Sequence, residues 1–415
     1  MSLIIKMKEK SIIYLDYNAT TPIDHDVQRS MFESCKELWG NPSSSYDVGK
    51  LAADAIESSR GQVAAMVNAS SRSDIIFTSG GTESNNWLLT SLVEHAISSG
   101  IDKPHLIATN IEHDSIRLPI ETMRSHGKIE STFVPVIAGV TCPESVVASI
   151  RRNTVLVTIM LANNETGLLQ PVKQISMSIK LINEQRQKDG LQRIWIHTDA
   201  AQAFGKIIVD VEELGVDYMT IVGHKFYAPR IGALYVNQNA PIYPLFYGGG
   251  QERGLRSGTP NTMCIVGLGK AAELVAHNLD TYESSLRGIQ QYLEERLYEV
   301  FHDEIFINGS TSIAGRLPNT TSVSFIDDRL TGSALLKLCT RIRASVGAAC
   351  HSTHDGDSYA PSAVLINSGV LPQYAACTLR LSVGRETQKS DIDIVVSELV
   401  NAVNILKATR IEQSK

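Results

Sequence analysis

Six cysteines among 415 residues, at positions 35, 142, 264, 339, 350 and 377, form no C-x-x-C pair. Their scatter indicates neither a disulfide scaffold nor a spaced zinc site, and fits a reduced, cytosolic setting. Positive charge is short as well: 38 Lys and Arg face 44 Asp and Glu, a formal net charge of -6. That balance offers no field for a polyphosphate chain, so nucleic acid is not expected as a partner. No run reaches the roughly 18 to 20 consecutive apolar residues of a spanning helix, so no membrane is expected either. Met1 to Lys10 carries three lysines around Leu3, Ile4 and Ile5 but no arginine, and reads as a short arm, not a targeting peptide.

What the chain does have is apolar content, 43% over 415 residues, enough for two cores. No repeat or low-complexity tract interrupts it. Short apolar runs alternate with helix-length amphipathic stretches, the pattern of an α/β fold with a mostly parallel sheet covered by helices. The runs Asp74 to Thr78, His105 to Thr109, Thr154 to Leu161, Ile194 to His197, Tyr218 to Val222 and Gly232 to Val236 read as strands buried on both faces. Val266 to Phe301 lacks proline and reads as one long helix or a pair leading away from the sheet. The expected division is a large α/β domain over residues 24–275 and a smaller α+β domain from residues 1–23 and 276–415. In the latter, strands are expected at Ser322 to Phe325 and Thr378 to Ser382, and helices at Gly332 to Thr340 and Ser390 to Lys407, with Ser390 as a cap and Asp393 three residues on.

Ligands of open α/β sheets gather at the carboxyl ends of strands, and those ends carry unusual residues here. Thr78 runs into Ser79-Gly80-Gly81-Thr82-Glu83, a turn whose backbone N–H groups and following helix suit an anion such as phosphate. It matches neither the P-loop nor the dinucleotide spacing, and such a turn alone is more often an ordinary strand-to-helix turn. The run ending at His197 delivers Asp199 and Gln202, and the next delivers His224 and Lys225, the lysine lying 26 residues after the acid. A pyridoxal phosphate enzyme needs that pair: a lysine for the Schiff base and a carboxylate to keep the pyridine nitrogen protonated. His113, after the run ending at Thr109, suits ring stacking and proton transfer, though a lone histidine there is more often structural. Asn164, after Leu161, suits donation to a phenolate oxygen, and by itself it marks only a turn. Cys350 lies among small residues that leave backbone N–H groups open, as a reactive thiol requires. Buried, inert thiols are expected at Cys142, Cys264, Cys339 and Cys377. His351 and His354 with Asp355 and Asp357 lack metal-ligand spacing, so no metal is expected.

Together these segments resemble the NifS-like cysteine desulfurases and selenocysteine lyases, in the class V aminotransferase group of fold-type I pyridoxal phosphate enzymes. The resemblance runs in order from Tyr14-Leu15-Asp16-Tyr17-Asn18-Ala19-Thr20-Thr21-Pro22 to Arg380-Leu381-Ser382-Val383-Gly384-Arg385. It implies a large domain on a mostly parallel seven-stranded sheet, with the thiol loop in the small domain. By that resemblance Lys225 is the Schiff-base lysine, Asp199 the pyridine-nitrogen partner, His113 the ring-stacking histidine, and Asn164 and Gln202 ligands of the phenolic oxygen. Gly81, Thr82 and His224 look like the phosphate cradle, and Thr259 matches a threonine supplied by the other subunit of a homodimer. Arg380 matches the arginine that pairs with the substrate carboxylate, and Cys350 the mobile-loop cysteine that attacks sulfur or selenium.

Val222 departs from the common serine of that cradle and leaves only its backbone to offer. Glu112-His113-Asp114-Ser115 and Ala349-Cys350-His351-Ser352 look like the animal-type selenocysteine lyases, which implies L-selenocysteine as substrate, L-alanine as product and a selenium-accepting protein as a further partner. A carboxylate at Asp114 near the substrate chalcogen or Cys350 would disfavour a thiolate more than the intrinsically acidic selenol, so Asp114→Lys is expected to raise cysteine turnover relative to selenocysteine turnover. Cysteine desulfuration from L-cysteine uses the same residues and is the alternative. A silent scaffold or a thiol hydrolase would lack the cofactor's visible band.

Overall fold

The computed structural model describes residues 12–347 and 361–413. Seven strands form the central sheet in the order Ile75–Thr78, Gly232–Val236, Tyr218–Val222, Trp195–Asp199, Thr154–Thr158, His105–Thr109, Glu130–Val134. Only Gly232–Val236 runs against its neighbours; the other pairings are parallel. Helices cover both faces, so a strand such as Tyr218–Val222 is buried at every residue and reads as an unbroken apolar run. Glu130–Val134 escapes that signature. It is the edge strand, its Glu-Ser-Thr-Phe residues half-buried, and an edge does not demand a continuous apolar run. The run Thr154 to Leu161 is strand only to Thr158, although Ile159 and Leu161 still donate to the carbonyls of His197 and Asp199.

Thr262–Phe301 is one helix of 40 residues, its start capped by the Asn261 side chain. Ile265, Leu268, Ala271, Ala272 and Val275 join the large core around the sheet, whereas Leu286, Leu293, Leu297 and Phe301 join a second core. At Gly269 the helix crosses Asp47–Met66 so closely that a Cβ would lie 2.7 Å from the Ser59 Cα, so a larger residue would push the helices apart.

The second core lies on a three-stranded antiparallel sheet ordered Thr378–Ser382, Thr320–Phe325, Ile305–Ile307. Ile13 and Leu15 join it, and Ile13–Tyr14 pairs in parallel with Ile342–Arg343. Lys389–Gln413 covers it with Ile392, Val395, Val396, Leu399 and Val403. That helix starts one residue before Ser390, which therefore is not its cap; the Asp391 carboxylate instead accepts from the Gln388 N–H at 2.9 Å. Among the described residues no helix is long and apolar enough to cross a membrane.

Candidate functional site

The carboxyl ends of the central strands meet the segment Asn18–Ala19 around a cavity of about 260 Å³. Gly81, Thr82, His113, Asn164, Asp199, Gln202, His224, Lys225 and Arg380, nine residues singled out from the sequence, line it. Glycine decides how the phosphate-type turn docks. A Cβ on Gly81 would lie 2.6 Å from Val222 Cγ2, and one on Gly232 would lie 2.8 Å from the Gly80 Cα. The start of the 18-residue helix Gly81–Ser98 is thereby pressed onto the sheet end with its first N–H groups directed outward. Val222 thus has a side-chain role after all, as the surface on which Gly81 rests.

Lys225 ends the tight turn Gly223–Lys225, where a Cβ on Gly223 would lie 2.6 Å from the Pro229 carbonyl oxygen. Its Nζ donates to the carbonyls of Asn18 at 2.7 Å and Ala19 at 2.9 Å. Burial, helped by the charges of Lys225 and Arg230, pushes His224 down to about 4, so it meets an anion as a neutral imidazole.

Asp199 and His113 are joined through residues that the sequence reading passed over. Asp199 Oδ1 accepts from the Ala201 N–H at 3.0 Å, and Oδ2 from Asn85 Nδ2 at 2.8 Å. Asn85 Nδ2 also donates to Ser115 Oγ at 2.8 Å, while the Thr220 hydroxyl donates to Asn85 Oδ1 at 2.6 Å. The Ser115 hydroxyl, accepting from Asn85, gives its proton to His113 Nδ1 at 2.8 Å, and the Ser115 backbone N–H donates to the same nitrogen at 3.1 Å. A nitrogen that accepts twice carries no proton, so neutral His113 is protonated at Nε2. Asn85 stands four residues after Gly81 on one helix face, and that spacing was the available signal.

Three further groups complete the surroundings. Arg380 donates from Nη1 to the Asn164 carbonyl at 3.1 Å and from Nη2 to Asp16 at 2.5 Å, while its buried Nε has no partner among the described residues. Glu112 lies behind the cavity; Oε1 accepts from the Thr109 hydroxyl at 2.7 Å and the Met160 N–H at 3.0 Å, and Oε2 has no partner among the described residues. Burial, against the pull of those donors, lifts its carboxyl to about 8. Lys206 reaches Gln202 from below.

Asp114 and Thr259 are not brought to this cavity. Asp114 opens the helix Asp114–Ser125, and its carboxylate is bonded to Arg117 at 2.8 Å. The charge expected beside the chalcogen is therefore paired with a cation of its own helix. Thr259 lines a separate cavity of about 230 Å³ with Ser79, Arg230, Arg256 and Gly258. Cys350, with His351, His354, Asp355 and Asp357, lies outside the described residues. Cys339 and Cys377 are buried and their thiols are pushed up to about 11 by burial; Cys142 and Cys264, expected to be buried, are only half-buried, and Cys35 is exposed. Among the described residues no group of three or more His, Cys, Asp or Glu side chains is placed to hold a metal.

The Aminotransferase class-V model matches residues 13–395. A selenocysteine lyase of Xenopus tropicalis is 49% identical over 408 residues, 95% of this chain and 94% of its own length. The cysteine desulfurase IscS of Methanosarcina thermophila is 36% identical over 403 residues, 96% of this chain and 94% of its own. A solved NifS-like protein superposes with a TM-score of 0.84 at 32% identity, covering 95% of this chain and all of that one. The match spans both cores and every strand that ends at the cavity, and on that extent the chain belongs to the class V aminotransferase family.

Proposed function

We propose that this chain is a pyridoxal phosphate-dependent selenocysteine lyase, converting L-selenocysteine to L-alanine. The carbon–selenium bond breaks, the β-carbon takes up a proton, and selenium leaves as selenide once a reductant supplies two electrons. The observation that carries the reading is that Lys225, Asp199 and Arg380 share one cavity in a chain about half identical to selenocysteine lyases throughout.

The donor set fits the cofactor. Lys225 is an amine held at the cavity by two carbonyls, Asp199 a buried carboxylate, and the Gly81–Thr82 helix start with neutral His224 an anion cradle. Lys225 would hold the aldehyde carbon, Asp199 the pyridine N–H, and Gln202 and Asn164 the phenolic oxygen. When bound, the cofactor supplies an electron sink for a carbanion at the substrate α-carbon. Arg380 takes the substrate carboxylate with guanidinium N–H groups left over from its bonds to Asn164 and Asp16, in an enclosed setting where a charge-assisted bond is strong. Lys225 Nζ is the base for the α-proton. His113, its Nδ1 held by Ser115, presents its Nε2–H to the cavity as a hydrogen-bond donor toward the substrate chalcogen. Cys350 is proposed to receive selenium, and a selenium-accepting protein to take it onward.

A homodimer in the cytosol is part of the same reading. Exposed Phe32, Trp39 and Tyr247, and the second cavity at Thr259 beside Ser79, support a partner subunit. The test is alanine release from L-selenocysteine and L-cysteine by the purified protein with pyridoxal phosphate. Faster turnover of selenocysteine is expected; faster turnover of cysteine would make the chain a cysteine desulfurase.

A further inference from the structure

Lys206 is a buried amine for which the reaction above has no use. It is 4% exposed, and among the described residues no carboxylate lies within ion-pair distance of it. Burial, with the nearby charges of Lys225 and Arg380, pushes it well below its usual range. Two acceptors stand before its N–H groups: Gln202 Oε1 at 3.1 Å and Asn18 Oδ1 at 3.3 Å.

We infer that Lys206 is a positioning residue that fixes the carboxamides of Gln202 and Asn18, so that Gln202 presents N–H and not C=O to the cavity. A carboxamide turned end for end fills the same space, and only its partners choose between the two orientations. Lys206 pins Gln202 Oε1 on the side away from the cavity. Gln202 Nε2 then gives one N–H to the Asn18 carbonyl at 3.0 Å and keeps the other, which no described residue takes. That same carbonyl accepts from Lys225 Nζ, so the lysine expected to carry the cofactor and the amide expected to hold its phenolic oxygen share one anchor. The far side of Asn18 is fixed in the same way. Its Oδ1 accepts from Lys206 and from Asn319 Nδ2 at 3.0 Å, which turns its own Nδ2 to Thr320 Oγ1 at 2.8 Å. Lys206 thus orders the seam between the two cores by donating on both sides.

The position opposes stability, which separates positioning from support. In the unfolded chain the amine titrates at its usual 10.5, and burial in the folded chain holds it well below that. Because the folded pKa is depressed, protonation favours the unfolded chain at neutral pH, and this bias fades only as pH rises toward the unfolded value. Methionine fills the same space with no donor and no charge to strip.

The inference rests on the cofactor reading, and the experiment separates the two. Full-length apo-protein is titrated with pyridoxal phosphate, following its visible band, for wild type, Lys206→Met, Gln202→Met and the double variant. Lys206→Met should weaken binding about 5- to 10-fold, the worth of one oriented hydrogen bond. Its thermal midpoint near neutral pH should be no lower than that of wild type, and the double variant should bind no more weakly than Gln202→Met. Unaltered binding in Lys206→Met, additive losses in the double variant, or a lowered midpoint or lost fold would each overturn the inference alone. A wild type that develops no band overturns the cofactor reading and this inference with it.

Discussion

Replacing Glu112 with glutamine should remove a pH dependence that this buried carboxyl imposes on folding. The side chain is 5% exposed, and burial, partly offset by the Thr109 and Met160 donors, lifts its carboxyl from 4.5 to about 8. A folded pKa above the unfolded one means that the folded state holds a proton the unfolded state has already lost. The stability conferred by that proton is complete below about 4.5, declines as pH rises, and is gone above about 8. At about 1.4 kcal/mol for each pH unit between those values, the loss totals roughly 4–5 kcal/mol. Glutamine keeps both donors on its Oε1, and its N–H groups stand where the protonated Oε2 had no partner, so near pH 5 the two proteins should be about equally stable. For 415 residues the unfolding entropy is about 0.9 kcal/mol per kelvin, so the midpoint of Glu112→Gln should rise about 4 °C relative to wild type between about pH 5 and pH 8. Calorimetry of the two apo-proteins across that range reads it directly. Midpoints that keep a constant separation would refute a neutral, buried Glu112.

Other outcomes follow from individual contacts. Arg380→Lys replaces a planar donor with a point charge and should raise KM for selenocysteine about 10- to 100-fold while leaving the cofactor band in place; an unchanged KM would remove Arg380 from the substrate carboxylate. Asn85→Leu cuts the bonds to both Asp199 and Ser115 and should lower kcat about 10-fold or more, with nitrogen-15 spectra of wild type showing neutral His113 protonated at Nε2. A proton found on Nδ1 would contradict the bond directions. Asp114→Lys replaces an ion pair with two like charges on one helix turn and should raise the cysteine-to-selenocysteine turnover ratio; an unchanged ratio would remove Asp114 from the discrimination.

The sheet and the residues at its strand ends were legible because parallel strands buried on both faces leave unbroken apolar runs, and whatever follows such a run is delivered to one edge. Glu130–Val134 was hidden because an edge strand needs no such run. The Asp114–Arg117 pair was legible too, since residues three apart on one helix face each other. Asn85, Glu112 and Lys206 were passed over for a different reason. Each is a polar residue whose importance comes from what burial does to it; only Asn85, one turn after Gly81, carried a local signal, and burial of a single Glu or Lys has none. Asp16 stood within the quoted Tyr14 to Pro22 segment, yet its partner Arg380 lies at the opposite end of the chain.

The most direct test of the cofactor site is to reduce the pyridoxal phosphate-loaded protein with borohydride and map the labelled peptide by mass spectrometry. The label is expected on Lys225, the amine held at the cavity by the carbonyls of Asn18 and Ala19. A label on Lys206 or on any other lysine, or no label at all, would contradict it.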